Sequence, residues 1–220
     1  MIPLDTLAIF FAASLLLGLS PGPDNIFVLT QSALCGPVAG LIVTAGLCTG
    51  LVAHTTAVAL GVAAIIQASA LAFTLLKLAG AGYLLYLAWQ AFRASAAGIA
   101  TATGRDPTNS GGQAGPGGSD GWRLYRRGIV MNVSNPKVSI FFLAFLPQFA
   151  DPARGLLALQ MLLLGGVFIL STLLVFGGIA LLAGSLGQRL LRSAKAQRII
   201  HRIAGTLFVA LALKLASAER

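Results

Sequence analysis

The stretch Ser20-Pro21-Gly22-Pro23-Asp24-Asn25 (SPGPDN) divides an apolar run in two. Leu4 to Leu19 precede it, apolar except for Asp5, Thr6 and Ser14, and IFVLT follows it at 26–30. Two prolines, a glycine, a carboxylate and an amide thus interrupt what otherwise reads as one long apolar helix. Proline removes a backbone donor and frees the carbonyl four residues earlier. In hydrocarbon such a carbonyl must find a partner in protein or in a water-lined cavity. A break of this kind, with a charge beside it, asks for a functional explanation.

The surrounding composition sets the solvent. Of 220 residues, 57% are hydrophobic and 10% charged, against about 25% charged in ordinary soluble domains. Six apolar stretches, about 4–30, 38–66, 70–92, 124–149, 155–184 and 200–217, reach the roughly 20 residues that a span needs. The expectation is an all-α integral membrane protein with almost no extramembrane domain. The N-terminus lacks Lys and Arg, carries Asp5 and runs on past any short apolar signal core, so it reads as a span and not as a cleavable signal. Cys35 and Cys48 both fall in or beside apolar spans, and burial as small hydrophobes is their expected role.

The net charge of +9 would suggest nucleic acid in a soluble chain. Here the basic residues fall between spans, so topology explains them and no nucleic-acid partner is expected. With six spans, one side holds Arg93, Arg105, Arg123, Arg126, Arg127, Arg189, Arg192, Lys195, Arg198 and Arg202. The other holds Lys77, Arg154, Lys214 and Arg220. The positive-inside rule puts the first side in the cytoplasm and both termini outside, in the inner (cytoplasmic) membrane.

The chain reads as two halves. Residues 1–94 and 123–220 form three-span units, joined by a Gly-, Ala-, Ser- and Thr-rich segment at 95–122 that reads as a flexible cytoplasmic linker. A shift of 116 residues places Gly50, Thr55, Thr56 and Gly61 on Gly166, Ser171, Thr172 and Gly177. A shift of 125 places KLAGAGY (77–83) on RIAGTLF (202–208), and one of 115 places Pro21 on Pro136. An odd number of spans per unit makes the second copy enter from the opposite face, an inverted repeat of the kind found in secondary transporters. The fold expected is six transmembrane helices in two inverted three-helix repeats, with the first and fourth helices broken at proline.

The second copy carries its own break, MNVSNPKVSIFF, with Asn132, Ser134, Asn135, Pro136 and Lys137. One proline in a span is usually a packed kink. Two matched breaks with polar neighbours point to a central site. Asp24 is the only acidic residue well inside a span, and Lys137 the only basic one near a span centre. Each needs a partner, and each is the other's best candidate, so a charge pair in a central cavity is expected. Asp24 also suits capping of the helix that restarts at Pro23. The pathway residues expected are Pro21, Gly22, Pro23, Asp24, Asn25, Asn132, Asn135, Pro136 and Lys137, with His54, Thr55 and Thr56 weaker members. Gly36, Gly40, Gly46 and Gly50 signal close helix approach. No phosphate loop, nucleophile triad or metal-ligand cluster appears, so neither an enzyme nor a cofactor is expected.

These residues resemble the LysE/RhtB family of bacterial amino-acid exporters. The similarity lies in SPGP, in GPVAGLIVTAGLCTG (36–50), in LKLAGAGYLLYLAW (76–89) and in NVSNPKVSIFFLAFLPQF (132–149). It touches both halves and is weakest in the last two spans. The resemblance implies export of amino acids, driven by the proton gradient or the membrane potential. One departure is Pro37, where the family usually follows the glycine with a basic residue. A zwitterionic cargo needs a group for each end: Asp24 and freed carbonyls suit the ammonium, Lys137 and Asn135 the carboxylate. A carboxylate in such a site could also exchange a proton. Two rivals are a transmembrane thiol electron carrier and a metal-ion exporter. The first needs a cysteine in each half, yet the counterparts of Cys35 and Cys48 are Ala150 and Leu164. The second needs converging carboxylates or histidines, and the spans offer one Asp and one His. A homo-oligomer is compatible with the sequence but not readable from it.

Overall fold

Proline and glycine set the element boundaries. In a computed structural model, α1 (Leu4–Leu19) ends at Ser20, and α2 (Pro23–Cys35) starts with Pro23 in its first turn, where proline's missing N–H is no loss. Gly36, at φ +87°, turns the chain from α2 into α3 (Pro37–Ala57), again proline-led. The α3 helix widens into a π-helical turn at Val58–Val62. After α4 (Ala70–Arg93) comes a second broken pair, α5 (Gly118–Val133) and α6 (Pro136–Ile140). The α6 helix runs on through a π-helical turn at Phe141–Phe145 and a 3-10 turn at Leu146–Phe149. Two long helices, α7 (Leu157–Leu182) and α8 (Ala194–Ser217), complete the order. The described residues are 2–20, 22–62, 70–93, 118–183 and 194–217, and no strand occurs among them. Pro21, residues 95–117 of the expected linker and residues 63–66 of the expected second span lie outside them.

The succession of a broken pair, a long helix and a second long helix occurs twice. Pro37–Gly61 and Leu157–Leu182 are each long and apolar enough to cross a membrane. The pair Leu4–Leu19 and Pro23–Cys35, bent by 62°, and the pair Asp120–Val133 and Pro136–Phe149, bent by 50°, each qualify as one broken span. The chain is therefore a multi-pass membrane protein. Its outer surface agrees: Leu162, Leu163, Leu170, Leu173 and Leu174 of α7 are about half exposed, and hydrocarbon is the solvent that tolerates such a face.

Buried hydroxyls are satisfied within their own helices. Ser14 donates to Phe10 O (2.7 Å), Ser32 to Val28 O (2.7 Å), Thr44 to Gly40 O (2.8 Å) and Thr55 to Leu51 O (2.7 Å). This back-bonding lets a hydroxyl sit in an apolar bundle without a partner helix. The core is aromatic. Phe10, Phe141, Phe142, Phe145, Phe149 and Phe168 contact one another with ring centroids 4.8 to 6.3 Å apart. The wide turn at Phe141–Phe145 lets Phe141, Phe142 and Phe145 all face inward, each 1% exposed or less.

Helix α3 is the hub, packing on α2, α5 and α7, while α4 packs on α8. The expected small-residue contacts hold for three of the four glycines. A Cβ on Gly40 would collide with Ser32, one on Gly46 with the Tyr125 carbonyl, and one on Gly50 would lie 2.7 Å from Asn132 Oδ1. Gly36 meets nothing within 4 Å and serves the turn, not the packing. The cysteines also depart from expectation. Cys35, the last residue of α2, is exposed, and Cys48, on the evenly apolar α3, is only partly buried.

Candidate functional site at the two helix breaks

The helix breaks free carbonyls, and several have partners in the structure. Pro136 cannot donate to Asn132 O, four residues back. That carbonyl instead accepts from Asn135 N (3.0 Å) and from His54 Nε2 (3.2 Å) on α3. A carbonyl only accepts, so Nε2 carries the proton. His54 thus ties the end of α5 to the hub helix, and its ring packs on Phe142 at 5.7 Å. At the first break, Gly18 O accepts from Asn25 Nδ2 (2.7 Å), and Ser20 O accepts from Lys137 Nζ (2.9 Å). Leu17 O is a second, longer contact of the same ammonium, at 3.5 Å.

Lys137 therefore crosses from the second half to the C-terminus of α1. Exposed carbonyls and the helix dipole make that end negative, and an ammonium stabilises it. Gly22 leaves it room: a Cβ there would lie 2.9 Å from Nζ. Asn135 caps α6, its Oδ1 accepting from Lys137 N at 3.0 Å.

Asp24 sits beside the Asn135 and Asn132 amides, within the fields of Lys137 and His54. No ion pair joins it to Lys137, whose ammonium contacts two carbonyls of the α1 end. The expected charge pair is thus a neighbourhood of opposite charges and not a contact. Asp24, Asn132 and Asn135 are 4%, 2% and 3% exposed. Among the described residues, five buried side-chain atoms lack a hydrogen-bond partner, and four lie at the breaks: Asp24 Oδ1, Asn25 Oδ1, Asn132 Oδ1 and Asn135 Nδ2. Such orphans are costly in a bundle where hydroxyls are satisfied locally. Together they present acceptors, a negative charge and one donor to a polar visitor.

Not every candidate joins this cluster. Gly22, Pro23, Asp24, Asn25, Asn132, Asn135, Pro136, Lys137 and His54 surround the breaks. Thr55 packs against Gly165 of α7, and Thr56 is exposed and bonded to its own helix. Pro21 lies outside the described residues. The prolines that open the restarting helices are Pro23 and Pro136, and Asp24 and Lys137 each follow directly. Two participants were not among the expected pathway residues: Ser20, through its carbonyl, and Gly50, expected only as a close-approach glycine, as the floor under Asn132. Gly50 lies one turn before His54, and that spacing is the signal that could have found it.

Comparison with known proteins identifies the family. The LysE type translocator profile matches residues 15–219. The homoserine/homoserine lactone efflux protein of Salmonella typhimurium is 35% identical over 96% of this chain and 95% of its own length. An equally similar protein of that name occurs in Salmonella typhi. An uncharacterised membrane protein of Vibrio cholerae is 30% identical over 96% of both chains. No solved structure matches. The chain is thus a membrane transporter and not an enzyme, and it belongs to the LysE type translocator family.

Proposed function

We propose that the protein exports amino acids or close derivatives across the cytoplasmic membrane, driven by the proton gradient or the membrane potential. The observation that carries this reading is the set of four orphaned polar atoms at two proline breaks in a translocator. Buried polar atoms without protein partners call for an explanation, and recognition of a polar cargo supplies one. The named relatives handle homoserine and its lactone, small polar amines that fit such a cluster. The substrate pathway we assign comprises Pro21, Gly22, Pro23, Asp24, Asn25, Asn132, Asn135, Pro136 and Lys137, with His54 holding the second break.

The architecture we propose is six spans in two inverted repeats, residues 1–94 and 123–220, with both termini outside. Its support is the twofold succession of elements and the packing of equivalent helices, α3 on α7 and α4 on α8, as a pseudo-twofold axis requires. The test is flux. Reconstituted protein should release labelled homoserine from vesicles, faster with an imposed pH gradient or potential, and Asp24→Asn should abolish that release. Failure to move any of a panel of labelled amino acids under either gradient would sink the exporter reading.

A further inference from the structure

Resting on that reading, we infer that cargo leaves the helix breaks through the phenylalanine core and pauses at a second polar site, a cavity at Gln148 that fits a small zwitterion. The fifth buried side-chain atom without a partner among the described residues is Gln148 Nε2. It belongs not to the breaks but to the 3-10 turn Leu146–Phe149. A cavity of about 260 Å³ lies there, with Thr6, Gln148, Phe149, Asp151, Arg154 and Gln160 in its wall. Sites for drug-sized ligands start at roughly 300 Å³, so this one suits a molecule the size of an amino acid. Its frame is fixed by Gln160, which is 4% exposed. Gln160 Oε1 accepts from Asp151 N at 3.0 Å, and Nε2 donates to Asp151 O at 2.8 Å and to Gly155 O at 3.3 Å. Asp151 Oδ2 accepts from Arg154 Nε at 2.9 Å, and both side chains are about half exposed. An exposed ion pair is weakly held, and a zwitterion brings one charge for each of its partners. The Gln148 amide adds a donor for the carboxylate of the visitor.

Phenylalanines join this cavity to the breaks. Phe149 is in the cavity wall and packs on Phe145 at 4.9 Å and on Phe10 at 5.0 Å. Phe141 contacts Phe145 at 4.8 Å, Phe10 at 6.2 Å and Phe142 at 6.3 Å. Phe142 packs on the ring of His54, whose Nε2 meets Asn132 O. A row of touching rings therefore runs from the unpartnered amide of one site to those of the other. Three of the rings, Phe141, Phe142 and Phe145, sit on one π-helical turn, and the π-helical turn Val58–Val62 of α3 packs against it. Such wide turns are frequent at functional sites, and a row of rings that parts to pass a cargo is one.

The passage is tested by labelling the full chain, with Cys35 and Cys48 replaced and Asn132→Cys introduced at the breaks. Reaction of that thiol with an impermeant reagent is timed in intact cells and in inverted vesicles. Phe149→Ala and Phe10→Ala should each speed it about tenfold, and only from the side on which Ala153→Cys reacts. Phe149→Leu and Phe10→Leu, which keep most of the bulk, give folded forms to read if alanine is not tolerated. Phe208→Ala removes a buried ring outside the row and should change nothing. No acceleration, equal acceleration by Phe208→Ala, or acceleration from the opposite side overturns the passage. Gln148→Leu tests the site. It should slow homoserine release about tenfold, since a site built to hydrogen-bond its ligand loses by losing the donor. Its melting temperature should not fall, because the lost amide had no partner. Release at the wild-type rate overturns the site. If the wild-type chain releases no amino acid, the exporter reading falls and the cargo site falls with it, while the labelling pattern still decides the passage.

Discussion

Asp24 and Lys137 occupy the same position after their prolines, yet their surroundings differ. Lys137 faces carbonyls, which need nothing more than its N–H groups. Asp24 faces amides, and its Oδ1 is left without a donor. The two charges should therefore respond differently to neutralisation. Lys137→Met leaves the Ser20 carbonyl bare, while Leu17 O keeps the Ser20 N–H at 3.2 Å; one unsatisfied group costs about 1–3 kcal/mol, so the melting temperature in detergent should fall. Asp24→Asn removes a buried charge that costs at least about 2.5 kcal/mol at mid-membrane. It should melt at or above the wild-type temperature while losing export. That combination, stability kept and activity gone, separates a functional carboxylate from a structural one. A matching drop in melting temperature for Asp24→Asn would mean that Asp24 mainly holds the helix start.

Helix crossings fix where these side chains meet. At the α3–α5 crossing a Cβ on Gly128 would lie 2.5 Å from Val43 O and 3.1 Å from Gly46 Cα. Backbone meets backbone there, so an added methyl must push the helices apart. Gly128→Ala should cost about 1–3 kcal/mol, the usual range for overpacking, and loosen the His54–Asn132 tie two turns on. Gly166→Ala in α7, where nothing lies within 4 Å, should be neutral or stabilising by up to about 1 kcal/mol. Thermal melting of the two variants side by side checks the contrast. The elements themselves were legible, because proline and glycine inside an apolar run admit few readings. The cluster at the breaks was legible for the same reason, since isolated charges in spans must face protein. What Lys137 touches was not. Its partners lie 117 and 120 residues away, and the choice between Asp24 and the α1 carbonyls depends on the bend between helices. Nor did Thr55 and Thr56 disclose which way they face, because a helix as evenly apolar as α3 carries little periodic signal.

At the scale of the whole molecule, arginines and aromatics gather at the C-terminal end of α4 and the N-terminal half of α5. The chain's two tryptophans, Trp89 and Trp122, are about half exposed near the facing ends of α4 and α5. Arg93 lies 4.7 Å over the Trp89 ring, and Trp122 stacks on Tyr125 at 5.4 Å. Arg127 lies 4.8 Å over Phe27. Tryptophan and tyrosine favour the membrane–water boundary, and arginine favours its cytoplasmic side. These residues bracket the segment that joins α4 to α5, so we predict that this segment lies on the cytoplasmic side. The ten-to-four division of basic residues points the same way. A cysteine placed at Ser110, in a chain whose Cys35 and Cys48 have been replaced, should resist an impermeant thiol reagent applied to intact cells. It should react once the membrane is permeabilised, whereas a cysteine at Ala153, in the turn before α7, should react from outside. If Ser110 labels readily in intact cells, the chain is inserted the other way up. The basic residues would then follow some constraint other than the positive-inside rule.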